Sequence, residues 1–525
     1  MSRIHEGPLV QSDSVICWDV PIADNAKGTD ITLTDISRVA IDKTVSSLCP
    51  VCLKVVSAHI FQENGKVLME KECDDHGSFR EIYWSDAISY KRFIKYLQKG
   101  PKSSKLTPEQ KGCPLDCGIC KNHITSTLLG NIDLTRRCNM ACPICFADAG
   151  GDHLDPSLDE IWAMMKTLRA EKPAPCPAIQ FSGGEPTLRD DLPEIISLAK
   201  KLGFSQIQIA TNGLRLAASF EFCKSIQQSG LNTAYLQFDG VTAEPYISNR
   251  GRDILPMKLQ ALENLKKAGL ESVVLVPTLA KGVNDHQVGE IVGFASKNLD
   301  IVNGVNFQPI SFTGRMDAEE RAEKRITIPD FFALLEEQMN NEITREDFYP
   351  IPFISPLSEL LAAQSDRVQP VFTIHPCCGA ATYVYKFNGR LIPLTRFIDV
   401  EGLLERIKIE AENFNGSGLS KLKMTGMILK ELPKFVDEDR APSDLKLTRM
   451  LIRIFRNGTR ESLRELHKKT LFIGTMHFQD AYNIDLERLQ RCGIHYALPD
   501  GRVIPFCAYN ILYRNARDCR QIETT

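Results

Sequence analysis

Three thiols, Cys138, Cys142 and Cys145, stand in the spacing Cys-x3-Cys-x2-Cys. Three thiolates so spaced suit three irons of a [4Fe–4S] cluster and leave the fourth iron open for a small chelating ligand. The lead-in Gly130–Thr135 reads as a short buried strand, and the chain from Asp155 onward reads as a helix. The thiols therefore fall on a strand-to-helix loop. The next apolar run, Ala178–Phe181, ends in Ser182-Gly183-Gly184-Glu185-Pro186. A second triplet, Cys113, Cys117 and Cys120, repeats the spacing but follows the polar stretch 102–112, which has no strand pattern. The open-iron cluster is thus assigned to Cys138, Cys142 and Cys145. The earlier triplet reads as an auxiliary metal site with a fourth ligand from elsewhere, and His123 is close in sequence.

The pairing of the Cys138 triplet with Gly-Gly-Glu-Pro at the end of the next strand resembles the radical S-adenosylmethionine (radical SAM) superfamily. The resemblance implies that SAM chelates the open iron and that Gly183, Gly184, Glu185 and Pro186 hold its amino group. Asn212 and Asp239 end the third and fourth strands and are expected to reach the SAM ribose or carboxylate. Thr278, Asn284 and Gln308 are polar residues at or after later strand ends. The bland reading is that Asn212-Gly213 and Asp239-Gly240 are turns.

The remaining thiols cluster on both sides of the barrel. Cys49-Pro-Val-Cys52 with Cys73 and His76 is a knuckle-and-return pattern suited to zinc or to a mononuclear iron of rubredoxin type, with His76 or a distant thiol such as Cys17 as fourth ligand. Cys377, Cys378, Cys492 and Cys507 sit beside Gly or Pro and read as a further cluster site. Cys176 and Cys223 read as structural thiols. Seventeen cysteines, less three for the SAM cluster and two structural ones, leave twelve, enough for three four-thiolate sites, or fewer thiolates where histidine substitutes and Cys17 or Cys519 is idle.

Elements that position these residues recur between 130 and 310. Apolar runs at 130–135, 177–182, 205–211, 232–238, 271–277 and 303–309 alternate with helical segments. That alternation predicts a parallel sheet with right-handed crossovers, an α/β partial (β/α)6 radical SAM barrel. It is flanked by cysteine-rich metal-binding domains: 1–125 at the N-terminal side, 126–320 for the barrel and 321–525 for the C-terminal domain.

The chain of 525 residues carries a net charge of −3, which gives no global basic field for nucleic acid. No apolar run approaches the roughly 18 residues of a membrane span, and the N-terminus lacks a secretory pattern. A reducing, cytoplasmic setting follows as the expectation, in which thiols serve metals. Two basic segments suggest peripheral membrane contact. Leu447, Met450, Leu451, Ile454 and Phe455 recur at helical spacing opposite Lys446, Arg449, Arg453 and Arg456, and Lys91, Arg92, Lys95, Lys99, Lys102 and Lys105 form a string. The alternative is an ordinary helix with its apolar face in the core.

A closer resemblance runs along most of the chain. Phe181–Thr187, Tyr235–Gly240, Val276–Thr278, Gly282–Gln287, Gln308–Arg315, His375–Gly379 and Pro499–Cys507 are similar to the tetraether lipid synthases. That resemblance implies coupling of two isoprenoid tail ends, diether phospholipids as substrates, auxiliary [4Fe–4S] clusters, a rubredoxin-like iron and a low-potential donor such as ferredoxin. The alternatives are a radical SAM enzyme that modifies a peptide or builds a cofactor, as the molybdenum-cofactor cyclases do, and an iron–sulfur redox protein without SAM chemistry.

Overall fold

A computed structural model describes residues 40–100, 106–151, 154–316, 319–364, 368–413, 426–457 and 469–514. Cys17, Cys519, Lys102 and Lys105 lie outside the described residues. The described residues belong to one compact unit, Ala40–Thr525.

The chain first folds a four-stranded antiparallel sheet in sequence order, β1 (Asp42–Leu48), β2 (Val55–Glu63), β3 (Lys66–Cys73) and β4 (Gly77–Trp84). The six predicted barrel strands follow: β5 (Leu129–Thr135), β6 (Ala178–Gly183), β7 (Gln206–Thr211), β8 (Thr233–Gln237), β9 (Ser272–Val276) and, after the two-residue β10 (Thr278–Leu279), β11 (Val302–Pro309). They pair in parallel and in sequence order. Period-2 alternation explains them. Ile179 and Phe181 of β6, and Ile207 and Ile209 of β7, are buried in the main core, while Gln180 and Gln208 alternate with them. The helix Leu158–Ala170 shows the matching helical period. Ile161, Met164, Met165 and Leu168 are buried, and Ser157 with Glu160 forms a capping box at its start.

The sheet does not stop at the six strands. After β12 (Tyr349–Pro350), β13 (Gly379–Phe387) and β14 (Arg390–Pro393), strand β15 (Thr470–Met476) pairs in parallel with β11. Strand β16 (Ile494–Ala497) pairs in parallel with β5 and carries the antiparallel β17 (Val503–Pro505). Residues 126–320 and 321–525, separate in the sequence reading, therefore share one sheet. Its path runs from β12 at one end to β17 at the other, so the barrel is open.

The helix Leu447–Asn457 is the ordinary helix of the alternative. Leu447 and Met450 are buried in a second apolar core with Ile407 and Leu432, and Leu451 packs against it. Arg92 is likewise committed: it donates to the carbonyls of Arg345, Glu346 and Phe348 and lies over the Tyr349 ring. No helix among the described residues is long and apolar enough to cross a membrane.

Candidate active site and metal centres

The Cys138 loop leaves the C-terminal end of β5, and its close fit to the end of β6 explains the two glycines. Gly183 has a left-handed backbone, φ 122°, and a Cβ there would collide with the Thr135 carbonyl. A Cβ on Gly184 would meet the carbonyls of Arg136 and Arg137. Instead Gly184 N donates to Thr135 O at 2.7 Å and Glu185 N to Arg137 O at 2.9 Å. Pro186 then starts a short 3-10 turn.

Glu185 is almost fully buried, yet it faces a cavity of about 320 Å³ lined also by Cys138, Cys142 and Cys145. Its Oε1 accepts from Thr187 N (3.0 Å), Thr187 Oγ1 (2.6 Å) and Thr211 Oγ1 (2.8 Å), and Oε2 accepts from Asn212 N at 2.7 Å. Asn212 Nδ2 reaches Asn139 Oδ1 in the cysteine loop at 2.7 Å. Burial pushes the Cys138 thiol up to about 11, as expected of a half-buried thiol with no cation to favour its thiolate. Thiols converging on one cavity beside a buried carboxylate fit the iron and the SAM amino group of the sequence reading.

Asp239 behaves differently from the expectation. It is wholly buried and absent from the cavity wall. Arg250 binds both its oxygens, through Nε at 2.6 Å and Nη2 at 2.9 Å. Arg250, which the sequence reading passed over, does line the cavity and donates from Nη1 to Ile144 O at 3.0 Å, inside the cysteine loop. Burial acts to depress this guanidinium, but the Asp239 carboxylate outweighs it and the pKa is raised. A second unassigned arginine, Arg315, ties the loop from its other side. Its backbone exchanges two hydrogen bonds with Cys145, at 3.1 and 2.9 Å, and its Nη1 donates to Cys142 O. Gly314, φ 77°, lets that strand approach, since a Cβ would strike the Cys145 and Phe146 carbonyls. Lys258 is also buried beneath the site. Its Nζ donates to Asn212 O and to Gln237 Oε1, and burial lowers it to about 7.

Asn131 and Gln180 line one cavity wall, and Gln208 continues their row of amides outside it. Asn131, Gln180 and Gln208 are in register on β5, β6 and β7. Gln208 Nε2 donates to Gln180 Oε1 at 2.8 Å, and Gln180 Nε2 to Asn131 Oδ1 at 3.0 Å. Asn131 Nδ2 is buried with no hydrogen-bond partner. Another wall is aromatic: Phe506 stacks on Phe478 (4.3 Å), Phe146 (5.3 Å) and Tyr496 (5.3 Å). The strict alternation of amides with apolar residues in Ile179-Gln180-Phe181 and Ile207-Gln208-Ile209 was the signal that could have revealed this wall.

The four residues of the N-terminal knuckle come together. The Sγ atoms of Cys49, Cys52 and Cys73 and a ring nitrogen of His76 lie within 4.8 Å of one another. Cys52 and Cys73 sulfurs are 3.8 Å apart, close to the edge of a tetrahedron with bonds of about 2.3 Å. His76 offers the fourth candidate ligand atom.

The other thiols are less compact. Cys113, Cys117 and Cys120 share a small cavity with His123, Gln490 and Pro505. His123 Nε2 is already engaged, with Cys492 O at 2.9 Å and His495 Nε2 at 3.1 Å. Burial pushes Cys113 and Cys492 up to about 12. Cys492 and Cys378 both act electrostatically on Cys507, whose sulfur accepts from Gln479 N at 3.3 Å. Cys378 lies 3.8 Å from Arg488 Nη2. Cys377 is instead wholly buried in the main apolar core, as are Cys176 and Cys223.

With this geometry in hand, comparison with known proteins is informative. Residues 132–295 match the radical SAM superfamily, and 41–85 match the HMPTM N-terminal zinc ribbon domain. The 7,8-dihydro-6-hydroxymethylpterin dimethyltransferase of Methanocaldococcus jannaschii is 49% identical over 90% of this chain and 94% of its own length. The chain belongs to the family of that dimethyltransferase. It is a radical SAM enzyme, with SAM and a [4Fe–4S] cluster as cofactors. A probable GTP 3′,8-cyclase of Methanothermobacter marburgensis is 29% identical over 33% of this chain and 55% of its own. Streptococcus suis SuiB bound to S-adenosylmethionine covers 41% of this chain and 48% of its own, at 16% identity and a TM-score of 0.34.

The tetraether synthase resemblance is corrected by the near full-length relative, whose name is that of a pterin methyltransferase. Lipid-tail coupling and diether phospholipid substrates go with it. The quoted motifs shape strand ends that identify no substrate. Asn284 Nδ2 donates to Asp239 O and Thr278 O, and Gln287 holds Val241 N and Thr242 Oγ1.

Proposed function

We propose that this chain modifies a pterin-type cofactor precursor by SAM-dependent radical chemistry, transferring methyl carbon to it as the M. jannaschii relative's name describes. The observation that carries the reading is the cavity beside Cys138, Cys142 and Cys145, with amides on one wall and stacked rings on another. A planar heterocycle presents faces to aromatic rings and a polar edge to amides. Phe506 and Phe478 would hold the ring face, and Asn131 and Gln180, the latter oriented by Gln208, its edge.

Cys138, Cys142 and Cys145 are the proposed iron ligands, and Gly183, Gly184, Glu185 and Asn212 the proposed contacts of the SAM amino acid. SAM bound there supplies a 5′-deoxyadenosyl radical strong enough to take hydrogen from an unactivated carbon. The protein's part is to orient the substrate carbon and exclude water. Asp239 and Pro186 act one step back, on Arg250 and on the Glu185 turn. The auxiliary ligand sets are proposed as Cys49, Cys52, Cys73 and His76 for one metal ion, and Cys113, Cys117, Cys120, Cys378, Cys492 and Cys507 for further clusters. A low-potential donor such as ferredoxin is the proposed electron source.

The test is transfer of deuterium. Anaerobic reconstituted enzyme with SAM, reductant and a pterin deuterated at its methylatable carbons should yield labelled 5′-deoxyadenosine. A deuterated archaeal lipid extract serves as the negative arm. Label from the lipid and none from the pterin overturns the reading. Cys138→Ala, Cys142→Ala or Cys145→Ala should abolish 5′-deoxyadenosine formation. Cys113→Ala should leave some.

A further inference from the structure

Among the described residues that line the cavity, Arg250 is the cation. It ends the helix Glu244–Arg250, and every arm of its guanidinium is placed. Nε and Nη2 bind Asp239, Nη2 also donates to Thr278 Oγ1 at 2.9 Å, and Nη1 donates to Ile144 O. The neighbouring Asn249 carbonyl accepts from Ile144 N at 3.4 Å. This fixes the guanidinium against the middle of the cysteine loop, at a residue between Cys142 and Cys145. Asp239 lies behind it, out of the cavity.

We propose that Arg250, held by Asp239, raises the reduction potential of the iron–sulfur cluster ligated by Cys138, Cys142 and Cys145 through the positive charge it holds against the cysteine loop. The inference rests on that ligand set and is independent of the substrate. The cluster takes up one electron from an external low-potential donor, and its reduced form carries one more negative charge. A nearby cation favours that form. The Asp239 carboxylate opposes the cation but stands farther from the cavity, so the pair leaves a net positive field at the loop. The arrangement is a dipole with its positive end toward the loop.

A purely mechanical brace would make the same contacts, because Arg250 also holds Ile144 O. The two roles separate by sign. A brace predicts that losing either partner disturbs the cluster in one direction. A tuning dipole predicts opposite shifts: Arg250→Gln should lower the midpoint potential, and Asp239→Asn, which leaves the cation uncompensated, should raise it. Arg250→Lys should stay near the wild-type value.

The experiment is an EPR-monitored redox titration of the anaerobically reconstituted full chain, with iron per chain measured for each variant. The signal that changes on adding SAM identifies the relevant cluster. Opposite shifts for Arg250→Gln and Asp239→Asn support the proposal. Shifts of the same sign, or none, overturn it. If Arg250→Gln loses iron, an Asp239→Asn potential at or below that of Arg250→Lys also overturns it. A SAM-responsive signal that survives Cys142→Ala would show instead that the ligand assignment is at fault.

Discussion

The ribbon site takes all four ligand atoms from two neighbouring turns of one sheet: Cys49 and Cys52 before β2, and Cys73 and His76 between β3 and β4. The thiols at the other side of the barrel arrive from distant stretches. Cys113–Cys120 precede β5, Cys378 immediately precedes β13, Cys492 precedes β16 and Cys507 follows β17. The first set is made by short hairpin connections and converges on one small sphere. The second converges only because β16 and β15 pair with the two outer barrel strands. The contrast is between a candidate metal site made by local sequence and a proposed one that needs the closing of the fold.

The largest expected effect follows from that contrast. Cys492→Ala or Cys507→Ala should remove about four iron atoms per chain, one cluster's worth. Hydrogen exchange should then quicken in 494–505 and in β5 together. Exchange confined to the mutated loop would show that the C-terminal thiols do not depend on the shared edge. Next in size, Cys49→Ala should release about one metal ion and loosen 42–84, while SAM cleavage persists. A chelator should likewise strip the ribbon first, because Cys52 and His76 are accessible whereas Cys117 and Cys507 are buried. Loss of iron before loss of the ribbon metal would reverse the comparison.

A smaller effect tests the joint between β5 and β16. Thr127 Oγ1 donates to Glu171 Oε1 at 2.8 Å and lies 3.1 Å from His495 Nδ1. Burial raises Glu171 from 4.5 to about 7. Between those values the folded state keeps a proton that the unfolded state has lost, so stability should fall as pH rises from 4.5 to 7 and level off above. The fall attributable to Glu171 is at most about 3 kcal/mol. Thermal melts of Glu171→Gln should lack that part of the slope; an unchanged slope would remove Glu171 as its source. The smallest effect is none. Lys446→Gln, Arg449→Gln and Arg453→Gln together should leave association with anionic vesicles unchanged in a flotation assay, since the apolar face of their helix is already covered.

The six parallel strands were legible because period-2 runs are local signals. So was the ribbon, whose four ligands lie within one short segment. The loop clamps were not. Arg250 and Arg315 act on a loop more than a hundred residues earlier, and nothing in their own neighbourhoods announces it. Asp239 was misread because a strand-end carboxylate looks the same whether it meets a ligand or a buried arginine. Cys377 and Cys378 look alike in the sequence, yet in the 3-10 turn Pro376–Cys378 the first is buried in the core and the second is only partly buried. The C-terminal region was expected as a separate domain because its sheet partners lie hundreds of residues upstream.

That long-range pairing has a consequence for synthesis. When the ribosome has produced the six barrel strands, β5 and β11 are still unpaired edges, and each exposes backbone groups that invite wrong partners. β15 and β16 arrive only some 160 to 190 residues later, about ten seconds or more at ordinary translation rates. Through that interval the cysteine loop after β5 has neither Phe506 nor Phe478 beside it. Iron delivered then meets an open loop, and iron delivered afterwards must enter a furnished cavity.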